Sequence, residues 1–256
     1  MLVPVVIALL QPSAAAPKAE ATPAHVIISE VLYAVPREGD PDQDGTRSAT
    51  GDEFIELFNP TDKAVQLKGY TLSNGKSPAV PSGGAKGKDG GGDGKSEGKS
   101  GKGKSNPASG HRPEESRIHF TFPELTLAPG EVVVVFNEYE SHTPGPVGDS
   151  KAAAGKNEKF GGAYVLSMHC TSQYQALANA GDCVLLCDGE GKALECVTWG
   201  SSNKKPEKEA PVTHRVEARK GSVQRTSAAG EFVAHEDLPA PEGEKAWSPG
   251  VFGGKK

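Results

Sequence analysis

Residues 51–74 read GDEFIELFNPTDKAVQLKGYTLSN, and this stretch commits the chain to a sheet. In DEFIELF, Ile55 and Leu57 share one face of an extended strand while Phe54, Glu56 and Phe58 share the other. The cluster Asn59-Pro60-Thr61-Asp62 ends the strand, with Pro60 fixing φ and Asp62 offering a side-chain turn bond. Val65, Leu67, Tyr70 and Leu72 then supply a second extended run.

The same signals recur along the chain. A first strand is expected over 25–35 (HVIISEVLYAV) and another over 118–122, followed by a turn at Leu127-Ala128-Pro129-Gly130. Four valines and Phe136 (132–136) are apolar on both faces, as a central strand buried on both sides requires. AYVLSMHC (163–170) reads as a strand, and 183–187 and 193–199 as a hairpin closed by Asp188-Gly189-Glu190-Gly191-Lys192. With GSVQRT late in the chain and no helical period, the expected fold is all-β, an antiparallel β-sandwich.

Between these strands lie segments that cannot build a core. The 256 residues include Gly 32 and Pro 20, concentrated in a few stretches, so one domain of roughly 150 packed residues is expected. Residues 75–117 form the longest such segment and are expected to be a disordered, basic, Gly/Lys-rich insertion. From Lys76 through Lys86, Lys88, Lys95, Lys99, Lys102 and Lys104 it carries lysine against Asp89, Asp93 and Glu97. Lys86, Lys88, Lys95, Lys99, Lys102 and Lys104 are candidate contacts for an anionic polymer; the plainer reading is a solvated spacer. Residues 141–162 and 201–220 are expected as flexible loops. A formal net charge of -5 gives no global pull toward nucleic acid.

The apolar run 2–10 is too short to span a bilayer, which needs about 20 residues. With small residues at 13–16 it fits a signal peptide over 1–16, cleaved after Ala16 or after Ala15. A linker over 17–25 and a domain over 26–254 would follow, in a protein that is secreted, periplasmic or at the cell surface.

Two groups of residues carry candidate chemistry. Asp40, Asp42 and Asp44 stand two apart and Gly45 follows, the D-x-D-x-D-G opening of a calcium loop. The bidentate Glu expected at position 12 is replaced by Gly51, leaving Asp52 or Glu53 to close a Ca2+ site; a solvated acidic loop is the alternative. Cys170, Cys183, Cys187 and Cys196 are an even set without a C-x-x-C pair, which argues for disulfides over a zinc ribbon. Cys183 and Cys187 lie about 13 Å apart along one strand, beyond disulfide reach of about 7 Å. The pairings left are Cys187–Cys196 with Cys170–Cys183, or Cys170–Cys187 with Cys183–Cys196, or buried free thiols. His169 and Cys170 point to opposite faces of a strand and form no dyad. Glu56 and Arg225 are a candidate charge pair, and no hydrolase or phosphate-loop motif occurs.

The ordered set of segments resembles the lamin tail domain family. It comprises ISEVLY (28–33), DEFIELFNPTDKAVQLKGYTLSN (52–74), FTFPELTLAPGEVVVVFN (120–137), ALANAGDCVLLCDGEGKALECVTWG (176–200) and SVQRT (222–226). The terminal WSPG is similar to the T-P-G that often ends bacterial copies. The resemblance implies an immunoglobulin-like sandwich used for binding or structure, not catalysis. The lysine-rich insertion and the cysteines depart from the family pattern, and no coiled-coil rod accompanies the domain. The expected role is therefore an exported interaction module for an unknown protein or envelope polymer. A calcium-stabilised module that holds polysaccharide or extracellular DNA is the alternative, and an unrecognised small hydrolase a third.

Overall fold

Side-chain alternation places the strands, and the structure follows it closely. The computed structural model describes residues 22–74, 117–201, 206–238 and 246–254. The expected signal peptide over 1–16 and the lysine-rich segment with its candidate polymer contacts lie outside the described residues.

The described residues form fourteen strands: β1 (Ile27–Ala34), β2 (Phe54–Phe58), β3 (Val65–Gln66), β4 (Thr71–Ser73), β5 (His119–Thr121), β6 (Thr126–Leu127) and β7 (Val132–Phe136), then β8 (Lys156–Asn157), β9 (Ala163–Ser167), β10 (Gly181–Cys187), β11 (Ala193–Gly200), β12 (Val212–Val216), β13 (Gly221–Arg225) and β14 (Phe232–Ala234). A first sheet runs β14-β13-β1-β2-β7-β9-β8 and a second β12-β11-β10-β4-β5, with β3 and β6 as a short separate ribbon.

The two sheets enclose one core. Ile28, Val31, Tyr33, Ile55, Leu57, Val133 and Val135 meet Leu72, Phe120, Val184, Leu186, Val197 and Trp199. Tyr33 and Trp199 stack across the sandwich with centroids 4.4 Å apart. The other face of the first sheet is also covered: Leu32, Phe54, Val132, Val134 and Phe136 form a second cluster with Phe160, Trp247 and Phe252. The valines of β7 are therefore buried on both sides, as their lack of alternation requires. In β1 the register slips between Ile28 and Glu30, a bulge that keeps Ile28 and Val31 inward and turns Glu30 outward.

Several expectations are corrected. The sandwich is not purely antiparallel, because β7 pairs with β9, and β11 with β12, in parallel. Each parallel pair requires the chain to travel back along the sheet before the second strand begins. The first return path is residues 141–162, expected as a flexible loop. It instead carries β8 and a short 3-10 turn (Glu158–Phe160) that buries Phe160. Buried Asn157 ties this path together, donating to the carbonyls of Pro144 and Pro146. Likewise 201–220 contains β12, whose sequence VTHRV is largely exposed and so lacks an apolar signature. In the Asn59-Pro60-Thr61-Asp62 turn the organising side chain is Asn59, not Asp62. Asn59 is buried, accepts from the Thr61 backbone N–H and hydroxyl, and donates to the carbonyls of Lys63 and Leu127.

Arg225 does not meet Glu56. Its guanidinium on β13 crosses the sandwich to Glu195 on β11, and Glu195 also accepts from the Ile28 backbone N–H at 2.9 Å. His214 on β12 joins them, with Nε2 2.8 Å from Glu195. Glu56 serves another purpose: paired opposite Glu30, it holds the end of the chain. Glu56 accepts from Ser29 and from the backbone N–H of Gly250, while Glu30 accepts from the backbone N–H and hydroxyl of Ser248. WSPG is thus a strap across the outer face of the first sheet. Gly250 is required there, because its φ is +89° and a Cβ would overlap the Phe160 carbonyl oxygen.

Burial, reinforced by the Glu30 charge opposite and partly offset by the Ser29 hydroxyl and the Gly250 and Val251 N–H groups, pushes the Glu56 carboxyl up to about 8. A carboxyl that holds its proton more tightly when folded stabilises the fold fully below its ordinary pKa, and that contribution is lost as pH rises toward 8. Glu56→Gln, which mimics the protonated acid, is expected to match the parent near pH 5. At pH 8 it should exceed the parent by ~2–4 kcal/mol in urea unfolding.

Candidate metal centre

The segment joining β1 to β2 turns tightly on itself because alternate aspartates cap its backbone. Asp42 accepts from the Asp44 N–H, Asp40 from the Gly45 N–H, and Asp44 from the Thr46 N–H at 2.6 Å. Gln43 and Gly45 take positive φ values of 62° and 92°, which bend the chain so that all three carboxylates face one point. One oxygen from each of Asp40, Asp42 and Asp44 lies within 4.8 Å of the others.

Of the two acids considered to close the loop, the structure places only Asp52 beside it. Asp52 accepts from the Ser48 N–H with one oxygen, while its Oδ1 is buried without a hydrogen-bond partner. Glu53 projects the other way and accepts from the Leu177 backbone N–H at 2.9 Å. Gly51, which occupies the position of the missing Glu, lies against residues 139–141. A Cβ there would sit 2.5 Å from the Tyr139 carbonyl oxygen and 2.7 Å from the Ser141 Cβ. The loop has no room for a side chain at 51, so the acid moves one residue along.

That neighbouring segment also contributes donors that no local sequence signal marks. Ser141 Oγ donates to Asp42 at 2.7 Å and the His142 N–H to Asp44 at 3.1 Å, across a separation of almost a hundred residues. The nearest basic side chain along the loop, Arg47, is spent on the carbonyls of Val35 and Pro36. Among the described residues no Lys or Arg forms an ion pair with these four aspartates. Burial pushes the Asp52 carboxyl up to about 8, partly offset by the Ser48 N–H and reinforced by Asp42, Asp44 and Asp40. Burial likewise raises Asp42 to about 6, against the pull of the Ser141 and Asp44 donors.

The sequence profile described as Lamin Tail Domain matches residues 19–201. The chain belongs to the lamin tail domain family. No curated protein matches the chain. The matched span holds both sheets from β1 to β11, but β12, β13, β14 and the WSPG strap lie beyond it. Those elements belong to the same sandwich in this lamin tail domain, since β13 pairs directly with β1.

The cysteines fall elsewhere on the domain. No disulfide joins any of the four, which corrects both expected pairings. One pairing needed Cys170 to reach Cys183 and the other needed it to reach Cys187, but Cys170 lies after β9 beside Glu53, outside the cluster that those two form with Cys196. Cys183, Cys187 and Cys196 cluster on the outer face of the second sheet. There Leu185 is opposite Cys196 and Cys187 opposite Ala193, so Cys187 and Cys196 are out of register. Contact with Cys183, then burial, pushes the Cys196 thiol up, and burial raises Cys170 to about 12, so neither is a ready nucleophile. His142 and His169 line one depression with Glu138 and Asp149, a juxtaposition not apparent from their spacing. These acids already bond backbone N–H groups: Glu138 accepts from Thr143, and Asp149 from Lys151 and Ala152.

Gly51→Ala is expected to cost ~1–3 kcal/mol by overpacking the contact with residues 139–141. Gly155→Ala, where a Cβ meets nothing within 4 Å, should leave the urea midpoint unchanged.

Proposed function

We propose that the protein is an exported, non-catalytic lamin tail domain that mediates an interaction at or outside the cell envelope. One observation carries the non-catalytic reading. The buried ionisable groups that could do chemistry are used to fasten strands and segments: Glu195 with Arg225 and His214, Glu30 with Ser222, Ser248 and His235, and Glu56 with Ser29 and Gly250. Membership in an immunoglobulin-like family of interaction modules supports the same reading. Export rests on the apolar run 2–10 with the small residues 13–16 after it. The full chain produced in a bacterial host is expected outside the cytoplasm with Pro17 as its first residue. Intact mass of the fractionated protein checks this, and retention in the cytoplasm with residues 1–16 still attached would overturn the exported reading.

A second reading is favoured by the lysine excess of residues 76–104, with seven lysines against three acids in a protein of net charge -5. Here the domain holds an anionic polymer, polysaccharide or extracellular DNA. Retention on heparin–agarose should then weaken with salt and vanish when residues 76–104 are removed. Elution of both forms at the same salt concentration would eliminate the polymer.

A further inference from the structure

We propose that the loop between β1 and β2 binds one Ca2+ ion through the carboxylates of Asp40, Asp42, Asp44 and Asp52, with Asp52 in the closing role. The inference goes beyond the interaction reading and does not depend on export or on the lysine-rich segment.

The geometry suits a single cation. Calcium holds its oxygens at about 2.3–2.6 Å, so two ligands on opposite sides of one ion stand about 5 Å apart. The carboxylate oxygens of Asp40, Asp42 and Asp44 fall inside that limit. The donor set is entirely oxygen, with no His or Cys in the cluster, which selects a hard cation over zinc or copper. A loop that draws its ligands from carboxylates on a curved backbone suits the variable coordination of calcium better than the strict octahedron of magnesium.

Asp52 is the independent observation. A fully buried carboxylate oxygen without a donor is a costly arrangement, and Asp52 is 0% exposed with Oδ1 unpartnered. The negative charges of Asp42, Asp44 and Asp40 all act on it, although it stands outside the 4.8 Å group that those three form. Asp40 Oδ1 is likewise buried and without a partner. Elsewhere in the fold buried carboxylates meet backbone N–H groups, as Glu53 does at Leu177 and Glu56 at Gly250. Two buried carboxylate oxygens without donors, one on a member of the cluster and one on the acid beside it, call for a cation. Because Ser141 and His142 donate to the same carboxylates, the ion would lock the β1–β2 loop to the segment after β7.

The test is calcium titration of the full chain by calorimetry, with thermal unfolding in chelator, in CaCl2 and in MgCl2. For an extracellular-type site with Kd near 0.1 mM, about 10 mM Ca2+ should raise Tm by roughly 5–10 °C, and Mg2+ by much less. Asp52→Asn separates a cation site from a structural cap. In chelator it should unfold at about the parent's Tm, because the amide keeps the shape and the Oδ acceptor for the Ser48 N–H. In calcium it should lose most of the parent's Tm shift. Glu53→Gln, outside the cluster, should keep the calcium shift whatever its baseline Tm. Absence of binding heat and of any Tm shift in the folded parent at millimolar free Ca2+ would overturn the proposal. So would an Asp52→Asn variant whose calcium shift equals the parent's.

Discussion

A carboxylate removed from water must be given donors, and this protein uses that requirement to build its connections. Each buried acid reaches a backbone N–H in a segment remote from it or across its own turn. Glu195 on the second sheet holds the start of β1, Glu53 holds Leu177, Asp182 holds Ala178, and Glu138 holds Thr143. Glu30 and Glu56, side by side on β1 and β2, hold the last described segment. The apolar core brings the sheets together without direction, whereas these bonds select which loop lies where. Breaking one leaves a charge or an N–H stranded indoors, so the arrangement is specific as well as stable.

Against that pattern the aspartates of the β1–β2 loop are out of line. Asp42 is well supplied, with the Asp44 N–H and Ser141 hydroxyl, but Asp40 and Asp52 each keep one buried oxygen with nothing to accept from. Within a structure that otherwise satisfies its buried acids, the shortfall is local, and it coincides with the point where three carboxylates already converge.

The readability of this chain follows the range of the interactions. Strand positions in β2, β7, β10 and β11 could be read because alternation and turn residues are local signals, and the D-x-D-x-D-G motif for the same reason. β8 and β12 could not: one is two residues long, the other carries VTHRV with a mostly exposed surface, so neither shows an apolar period. The choice between Asp52 and Glu53 depended on the approach of residues 139–141 to Gly51, and Arg225 found Glu195 across the sandwich; both are tertiary facts. The cysteine arrangement was illegible for a related reason, since cysteine parity says nothing about register, and register sets Cys187 against Ala193 while Cys196 meets Cys183. The family profile ends at residue 201, yet β13 covers the edge of β1 and supplies Arg225. The folded unit of this sandwich is longer than the span that the family profile matches.

At the end of β4, Asn74 is joined to Ile118 through backbone and side-chain bonds, and its amide also reaches Asp182 and the Ala176 carbonyl. Residues 74 and 118 therefore leave and re-enter the sandwich at one doorway. The number of residues between them is a free parameter of the architecture: loop closure grows only logarithmically with length, and the doorway is bolted from the protein side. Sequence there can be lengthened, shortened or exchanged without renegotiating the sheets, which makes this corner the natural port for adding a new binding property to an otherwise fixed scaffold.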